Sequence, residues 1–298
     1  MPAASQQPRR SVDLALVLLA LVWGSSYLCA KSLLAVMGVM SLLVLRFFFT
    51  TVALLIIWFP QRQKVERREL RISLGLGLVQ VVVFVLETFG VEHTSANNAG
   101  LIISLAIIFT PLLEGMASRN WLPAPFFVAT TTAIVGVGVL VSSHGFRTPN
   151  VGDALMLAAA CVRATHVMLM GHLTKGQQYS SVFMTFIQCA VCLAVFSIAG
   201  TAGALRVIGH LSATQWFALL FLGIACSALG FVIQLWAVRK TSAARASLLL
   251  GTEPLFAVLV AVIVGHETLP LVGVAGGAMI IGSTYVAQGI ELRHRERL

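Results

Sequence analysis

Four windows of this 298-residue chain contain no aspartate, glutamate, lysine or arginine: 120–146, 176–205, 207–238 and 268–290. A helix crossing the hydrocarbon core of a bilayer needs roughly 20 consecutive apolar residues, and these windows supply them. Composition points the same way, with 58% of residues hydrophobic and 10% charged, against about 25% charged in a soluble domain. A water-soluble globule is excluded, because there is too little polar surface to cover it. Five cysteines with no dense framework exclude a disulfide-stapled secreted domain.

Dividing the remainder at charge clusters and turn residues predicts ten spans, near 13–31, 40–60, 71–91, 96–117, 121–143, 151–172, 179–200, 212–237, 243–265 and 269–289. The segments are too long for membrane strands and lack their dyad alternation, so the expected fold class is an all-α integral membrane protein. The first apolar run follows Arg9 and Arg10 but has no small-residue cleavage site after it, so it is expected to remain as span one. Placing the N-terminus inside puts Arg9, Arg10, Arg62, Lys64, Arg67, Arg68, Arg71, Arg119, Lys175, Arg239, Lys240, Arg245, Arg293, Arg295 and Arg297 on the cytoplasmic side. Lys31, Arg147 and Arg206 then lie outside. The positive-inside rule therefore favours both termini in the cytoplasm, in a cell inner (plasma) membrane. The formal net charge of +9 is chiefly an orientation signal.

An offset of 147 residues aligns the two halves. Val91-Glu92-His93-Thr94-Ser95-Ala96-Asn97-Asn98-Ala99 falls on Val238-Arg239-Lys240-Thr241-Ser242-Ala243-Ala244-Arg245-Ala246. Gln80, Phe84 and Glu87 of span three fall on Ser227, Phe231 and Gln234 of span eight, each set sharing one helical face. Asp13 and Asp153 open the first span of each half. Five spans per half is an odd number, so the halves, 1–148 and 149–298, are expected to be inverted relative to one another. Secondary transporters are commonly built this way, with the substrate site between the repeats near the midplane.

Several short motifs in order then resemble the EamA family of the drug/metabolite transporter superfamily over nearly the whole chain. They are Trp23-Gly24-Ser25-Ser26-Tyr27 with Lys31, Arg46-Phe47, Thr94-Ser95-Ala96, Phe109-Thr110-Pro111, Gly152-Asp153, Thr241-Ser242-Ala243, Glu253-Pro254 and Gly265-His266-Glu267. The resemblance implies a ten-helix carrier whose central cavity is lined by spans 1, 3, 4, 6, 8 and 9. Within the family the chain looks most like the amino-acid exporters, including the YddG type that expels aromatic amino acids. Two departures stand out. Residues 14–30 hold no carboxylate like the one small multidrug relatives use for proton coupling, and Arg163 stands where family members often show an aromatic residue.

An ionisable group at membrane depth calls for a partner or a cavity. Glu253, directly before Pro254, reads either as a site for a substrate ammonium or a proton, or as a structural carboxylate paired with Arg163. In both readings Glu253 and Arg163 should approach each other. Pro254 is expected to kink span nine. Glu87 with Gln80 and Phe84, and Ser227 with Phe231 and Gln234, form polar–aromatic–polar stripes that suit an amphipathic substrate; the alternative is interhelical packing. Trp23 and Tyr27 either stack on substrate or pack. Asn97, with Asn98, either gates the outer exit or caps span four. His166 reads as a proton shuttle or as a satisfied core histidine. Glu114 is expected to snorkel toward Arg119, and Arg46 to be structural. Gly273 and Gly277, with Gly136 and Gly138, permit close helix approach in the bundle or in a homodimer.

There is no nucleotide-binding Gly-rich loop, metal-ligand pair or nucleophile elbow, and the expected cofactors are none. Cys189 and Cys192 are expected to be inert buried thiols, and the basic termini give no support for nucleic-acid binding. The expected partners are the lipid bilayer and a small-molecule substrate. The sequence favours a carrier exporting small metabolites, foremost aromatic or neutral amino acids. The alternatives are a carrier of drugs or nucleotide sugars and, from another class, an intramembrane enzyme or a non-transporting receptor.

Overall fold

The computed structural model describes residues 7–61, 65–94, 96–142, 150–265 and 271–296, and among them every regular element is helical. In hydrocarbon each backbone N–H and C=O must be satisfied within its own segment, which is why charge-free runs fold as helices. In chain order these are α1 (Gln7–Leu34), α2 (Val39–Trp58), α3 (Arg67–His93), α4 (Ala96–Ile103), α5 (Ala106–Ser118), α6 (Ala124–Ser142), α7 (Val151–Thr174), α8 (Ser181–Ile208), α9 (Ala213–Leu220), α10 (Gly230–Lys240), α11 (Ala243–Leu250), α12 (Glu253–Gly265) and α13 (Leu271–Glu296). A π-helical stretch, Phe221–Leu229, joins α9 to α10 without interrupting the rod.

Among the described residues eight helical stretches are long and apolar enough to cross a membrane, and Ala124–Leu140 is a shorter apolar helix. The molecule's outer face is correspondingly apolar: Ile198 is 87% exposed and Val128 66%. Such a surface would drive aggregation in water, whereas lipid chains cover it at no cost.

Local sequence sets the helix ends. Asn150 and Asp153 form a reciprocal capping box at the start of α7, and Ser212 and Gln215 form another at α9. Ser180 and Ser242 cap α8 and α11 by accepting the N–H of Phe183 and Arg245. Each cap satisfies one of the donors a helix start leaves over.

Two spans are broken. α4 gives way to α5 across Ser104 and Leu105, and α11 to α12 across Gly251 and Thr252. The breaks share one register: Ala96 and Ala243, Ile103 and Leu250, and Ala106 and Glu253 are each 147 residues apart. The expected kink at Pro254 is thus a full interruption, with Pro254 in the first turn of α12, where its missing N–H is harmless.

The main packing partnerships are α2 with α8, α6 with α13, and α3 with α7. Each joins a helix before residue 142 to one after residue 150, so the halves interlock. Between α6 and α13 contact is close enough that a Cβ at Gly276 would lie 2.5 Å from Leu140 N and 2.7 Å from Gly136 O. Gly136 and Gly276 thus serve a contact inside the bundle. Substituting Gly276 by valine should part these helices and cost about 1–3 kcal/mol. The check is a lowered thermal unfolding midpoint in detergent micelles, with the distant Gly289→Ala as reference.

Candidate functional site

The broken spans and the polar stripes converge on one region. Trp23 and Ser26 of α1, Arg46 of α2, Gln80, Val83, Phe84 and Glu87 of α3, Arg163 and His166 of α7, Phe231 and Gln234 of α10 and Glu253 of α12 line one chamber. A second chamber lies between the two helix breaks and is lined by Ile103, Ser104, Ala106 and Ile107 on one side and Leu250, Gly251 and Pro254 on the other. Both chambers share Arg163, Gln234 and Glu253.

Arg163 stands at the junction. One guanidinium nitrogen lies 3.6 Å from Glu253 Oε2, the other 3.9 Å from Glu87 Oε2, and its Cζ sits 4.8 Å from the centre of the Trp23 ring. One arginine therefore links α3, α7 and α12 and covers an aromatic face on α1. Guanidinium suits this position because it is planar, stays charged and stacks on rings while pairing at its edge.

The rings form a chain: Trp23 meets Phe231 at 6.1 Å, Phe231 meets Phe84 at 5.6 Å and Phe84 meets Phe47 at 4.9 Å, all edge-to-face. Arg46 lies over Phe84 at 4.8 Å, and its Nε donates to Ser227 Oγ at 2.8 Å.

The π-helical stretch supplies acceptors that a regular helix keeps to itself. Trp23 Nε1 donates to the Cys226 carbonyl at 2.8 Å, and Thr50 Oγ1 to the Gly223 carbonyl at 2.9 Å. Widened turns of this kind are frequent at functional sites. On the far side of α1, a Cβ at Gly24 would lie 2.7 Å from the Glu253 carbonyl oxygen, so glycine lets α1 press against the start of α12. The motif at residues 23–26 thus has a physical content: a ring fixed by its N–H, a close approach, and a serine lining the chamber.

Most of the side chains singled out from the sequence come together. Trp23, Gln80, Phe84, Glu87, Arg163, His166, Phe231, Gln234 and Glu253 line the aromatic chamber. Ser227 does not line it; fully buried behind it, Ser227 accepts the Arg46 hydrogen bond. His166 is buried and its Nε2 is 2.9 Å from Gln188 Oε1, a satisfied histidine at the chamber's edge. Tyr27 and Asn97 lie on α1 and α4, but their side chains, with that of Asn98, fall outside the described residues. Cys189 and Cys192 are buried.

Arg46, Ser26 and Val83 are additions. The rule that an intramembrane arginine faces the bundle interior, applied to Arg163, also holds for Arg46. Ser26 sits one turn from Trp23 and follows from helical spacing. Glu114, aimed by spacing at Arg119, has its Oε2 accept the Ala244 N–H at 2.8 Å, serving the start of α11.

Each Thr-Ser-Ala corner is held by an aspartate from the other half. Thr94 Oγ1 donates to Asp153, while Lys31 Nζ donates to the Thr94 carbonyl at 3.0 Å. At the opposite end Arg245 grips Asp13 in a bidentate pair at 2.9 and 2.6 Å and reaches Glu291 at 3.2 Å. Ser242 Oγ donates to that same Glu291 at 2.9 Å. Among the described residues no group of three or more His, Cys, Asp or Glu side chains is placed to hold a metal ion.

Fold and site together define a polytopic helical membrane protein with an internal chamber that is both charged and aromatic. The family model for the EamA-like transporter family matches residues 10–142 and again 150–288. An uncharacterized transporter of Archaeoglobus fulgidus is 26% identical over 278 residues, covering 92% of this chain and 84% of that one. A protein named as a probable terminal-alkyne amino-acid exporter, from Streptantibioticus cattleyicolor, is 28% identical over 274 residues, 89% of each chain. A solved crystal structure, 17% identical, superposes with a TM-score of 0.73 over 95% of this chain and 98% of its own, which shows the fold. The chain belongs to the EamA-like transporter family.

Replacing Arg163 by glutamine leaves Glu87 and Glu253 without their shared cation. Breaking a fully buried pair costs roughly 3–5 kcal/mol, and the effect here should fall toward the low end, because the Arg163 side chain keeps 16% exposure. Adding Glu253→Gln to Arg163→Gln should recover part of the loss. Thermal unfolding of the single and double variants in one detergent checks both expectations.

Proposed function

We propose that this EamA-family transporter is a secondary carrier exporting amino acids, foremost aromatic and neutral ones, by alternating access across a cell inner membrane. One observation carries the reading: a chain of aromatic rings opens onto a guanidinium set between two carboxylates, within one chamber walled by helices of both halves. An aromatic amino acid presents the complementary groups, a ring, a carboxylate and an ammonium. The ring would lie along Trp23, Phe84 and Phe231, with Gln80 and Gln234 beside it; the carboxylate would meet Arg163 and the ammonium Glu253 or Glu87. His166, Tyr27, Asn97 and Ser227 complete the proposed binding set, Ser227 acting through Arg46. The relative named as an amino-acid exporter supports the substrate class.

The architecture proposed is ten spans in two inverted five-helix repeats, 1–148 and 149–298. The ten are the eight long apolar stretches, α6, and the α11–α12 pair. The shared register of the two helix breaks and the two separate matches to one family model support the repeats. Broken helices at a chamber place half-helix ends where a ligand's charges would sit, as in other carriers built from repeats. Cytoplasmic N- and C-termini follow from the Lys/Arg distribution.

Purified protein in liposomes tests the reading. Labelled phenylalanine should cross faster than in protein-free liposomes, and flux no greater than that background overturns the amino-acid assignment. A flux that follows an imposed pH gradient indicates proton coupling; one indifferent to it indicates facilitated diffusion.

A further inference from the structure

We infer that the four charged side chains facing the chamber form a net-charge filter, admitting ligands whose own charges sum to zero. This rests on the amino-acid reading and specifies what that site selects.

Among the described residues the titratable groups lining the two chambers are Arg46, Glu87, Arg163, Glu253 and His166. Counting His166 as the neutral imidazole hydrogen-bonded to Gln188, the formal charge is zero, two positive against two negative. The side chains of Arg163, Glu87 and Glu253 are only 16%, 18% and 7% exposed, so water screens them little. At such depth an uncompensated charge is costly, and a cation or anion entering alone would create one. A zwitterion would not: its carboxylate replaces a glutamate at Arg163 while its ammonium replaces the guanidinium at that glutamate. Each protein charge keeps an opposite charge beside it, one arginine–glutamate contact being exchanged for two contacts to the ligand. The ion pairs at the junction, at 3.6 and 3.9 Å, are looser than the bidentate Arg245–Asp13 pair at 2.6 and 2.9 Å. The site's charges are thus placed for exchange, and those at the end of the bundle for permanence.

The filter predicts a change of ligand charge rather than a simple loss. Phenylalanine, phenethylamine and 3-phenylpropanoate share a ring and differ in net charge: zero, positive and negative. Glu253→Gln leaves the chamber one charge positive and should raise the 3-phenylpropanoate-to-phenylalanine flux ratio in liposomes. Arg163→Gln leaves it one charge negative and should raise the phenethylamine-to-phenylalanine ratio. Each shift should be at least about tenfold, a factor that one unit charge at an effective dielectric near 20 readily supplies. The double variant Arg163→Gln/Glu253→Gln restores zero and should return both ratios to the wild-type values. Ratios within one preparation do not depend on how much protein is folded. For a variant that no longer transports, the same ordering should appear in the rise of the unfolding midpoint produced by each compound. If wild-type protein moves phenylalanine but the ratios stay constant across the variants, the filter is overturned and the amino-acid reading stands. If wild-type protein moves none of the three compounds, the amino-acid reading fails and the filter with it.

Discussion

A guanidinium at membrane depth must be answered by negative charge, and the answer here comes from two directions. Arg163 on α7 meets Glu87 on α3 and Glu253 on α12, with Trp23 of α1 covering its face. Those contacts fix how four helices stand around the chamber. They also bring the start of α12 to the junction of the two chambers, because Glu253 is its first residue. The helix break, the close approach at Gly24 and the edge-to-face ring chain are all arranged around that one cation.

Irregular backbone inside a membrane needs a local reason, and each irregularity here has one. The two breaks wall the second chamber, and at its wall Ser247 Oγ on α11 donates to Thr110 Oγ1 on α5 at 2.9 Å. The π-helical stretch turns carbonyls toward Trp23 and Thr50, whose side chains take them up. Backbone that would be intolerable against lipid is tolerable where protein or a cavity receives it.

The legible part of the structure was what depends on local composition or on a fixed offset. Charge-free runs became helices because lipid permits little else. The Glu253–Arg163 approach was legible because two opposite charges at similar depth have few other partners. The stripes Gln80/Phe84/Glu87 and Ser227/Phe231/Gln234 were legible from helical spacing, although Ser227 turned out to stand behind the chamber rather than in it. What escaped were features decided by neighbours distant in sequence. A widened turn at Phe221–Leu229 leaves no mark in a uniformly apolar run. Arg46 reads from the sequence as structural, and a hydroxyl that meets it, Ser227 Oγ, lies 181 residues on. Glu114 has a nearby arginine in the sequence and a backbone N–H 130 residues away in the fold, which it takes.

The corner contacts carry an implication for how such a chain is made. Asp13 finds Arg245 across 232 residues, Trp23 reaches Cys226 across 203, and Lys31 and Asp153 close on Thr94 across 63 and 59. During synthesis the first half leaves the ribosome with its carboxylate at Asp13 and its indole at Trp23 still lacking the groups that will satisfy them. Those groups arrive only with the π-helical stretch and α11. The chamber is therefore assembled last, by the docking of late helices onto early ones, and neither half is a finished protein. Each is the mould in which the other sets.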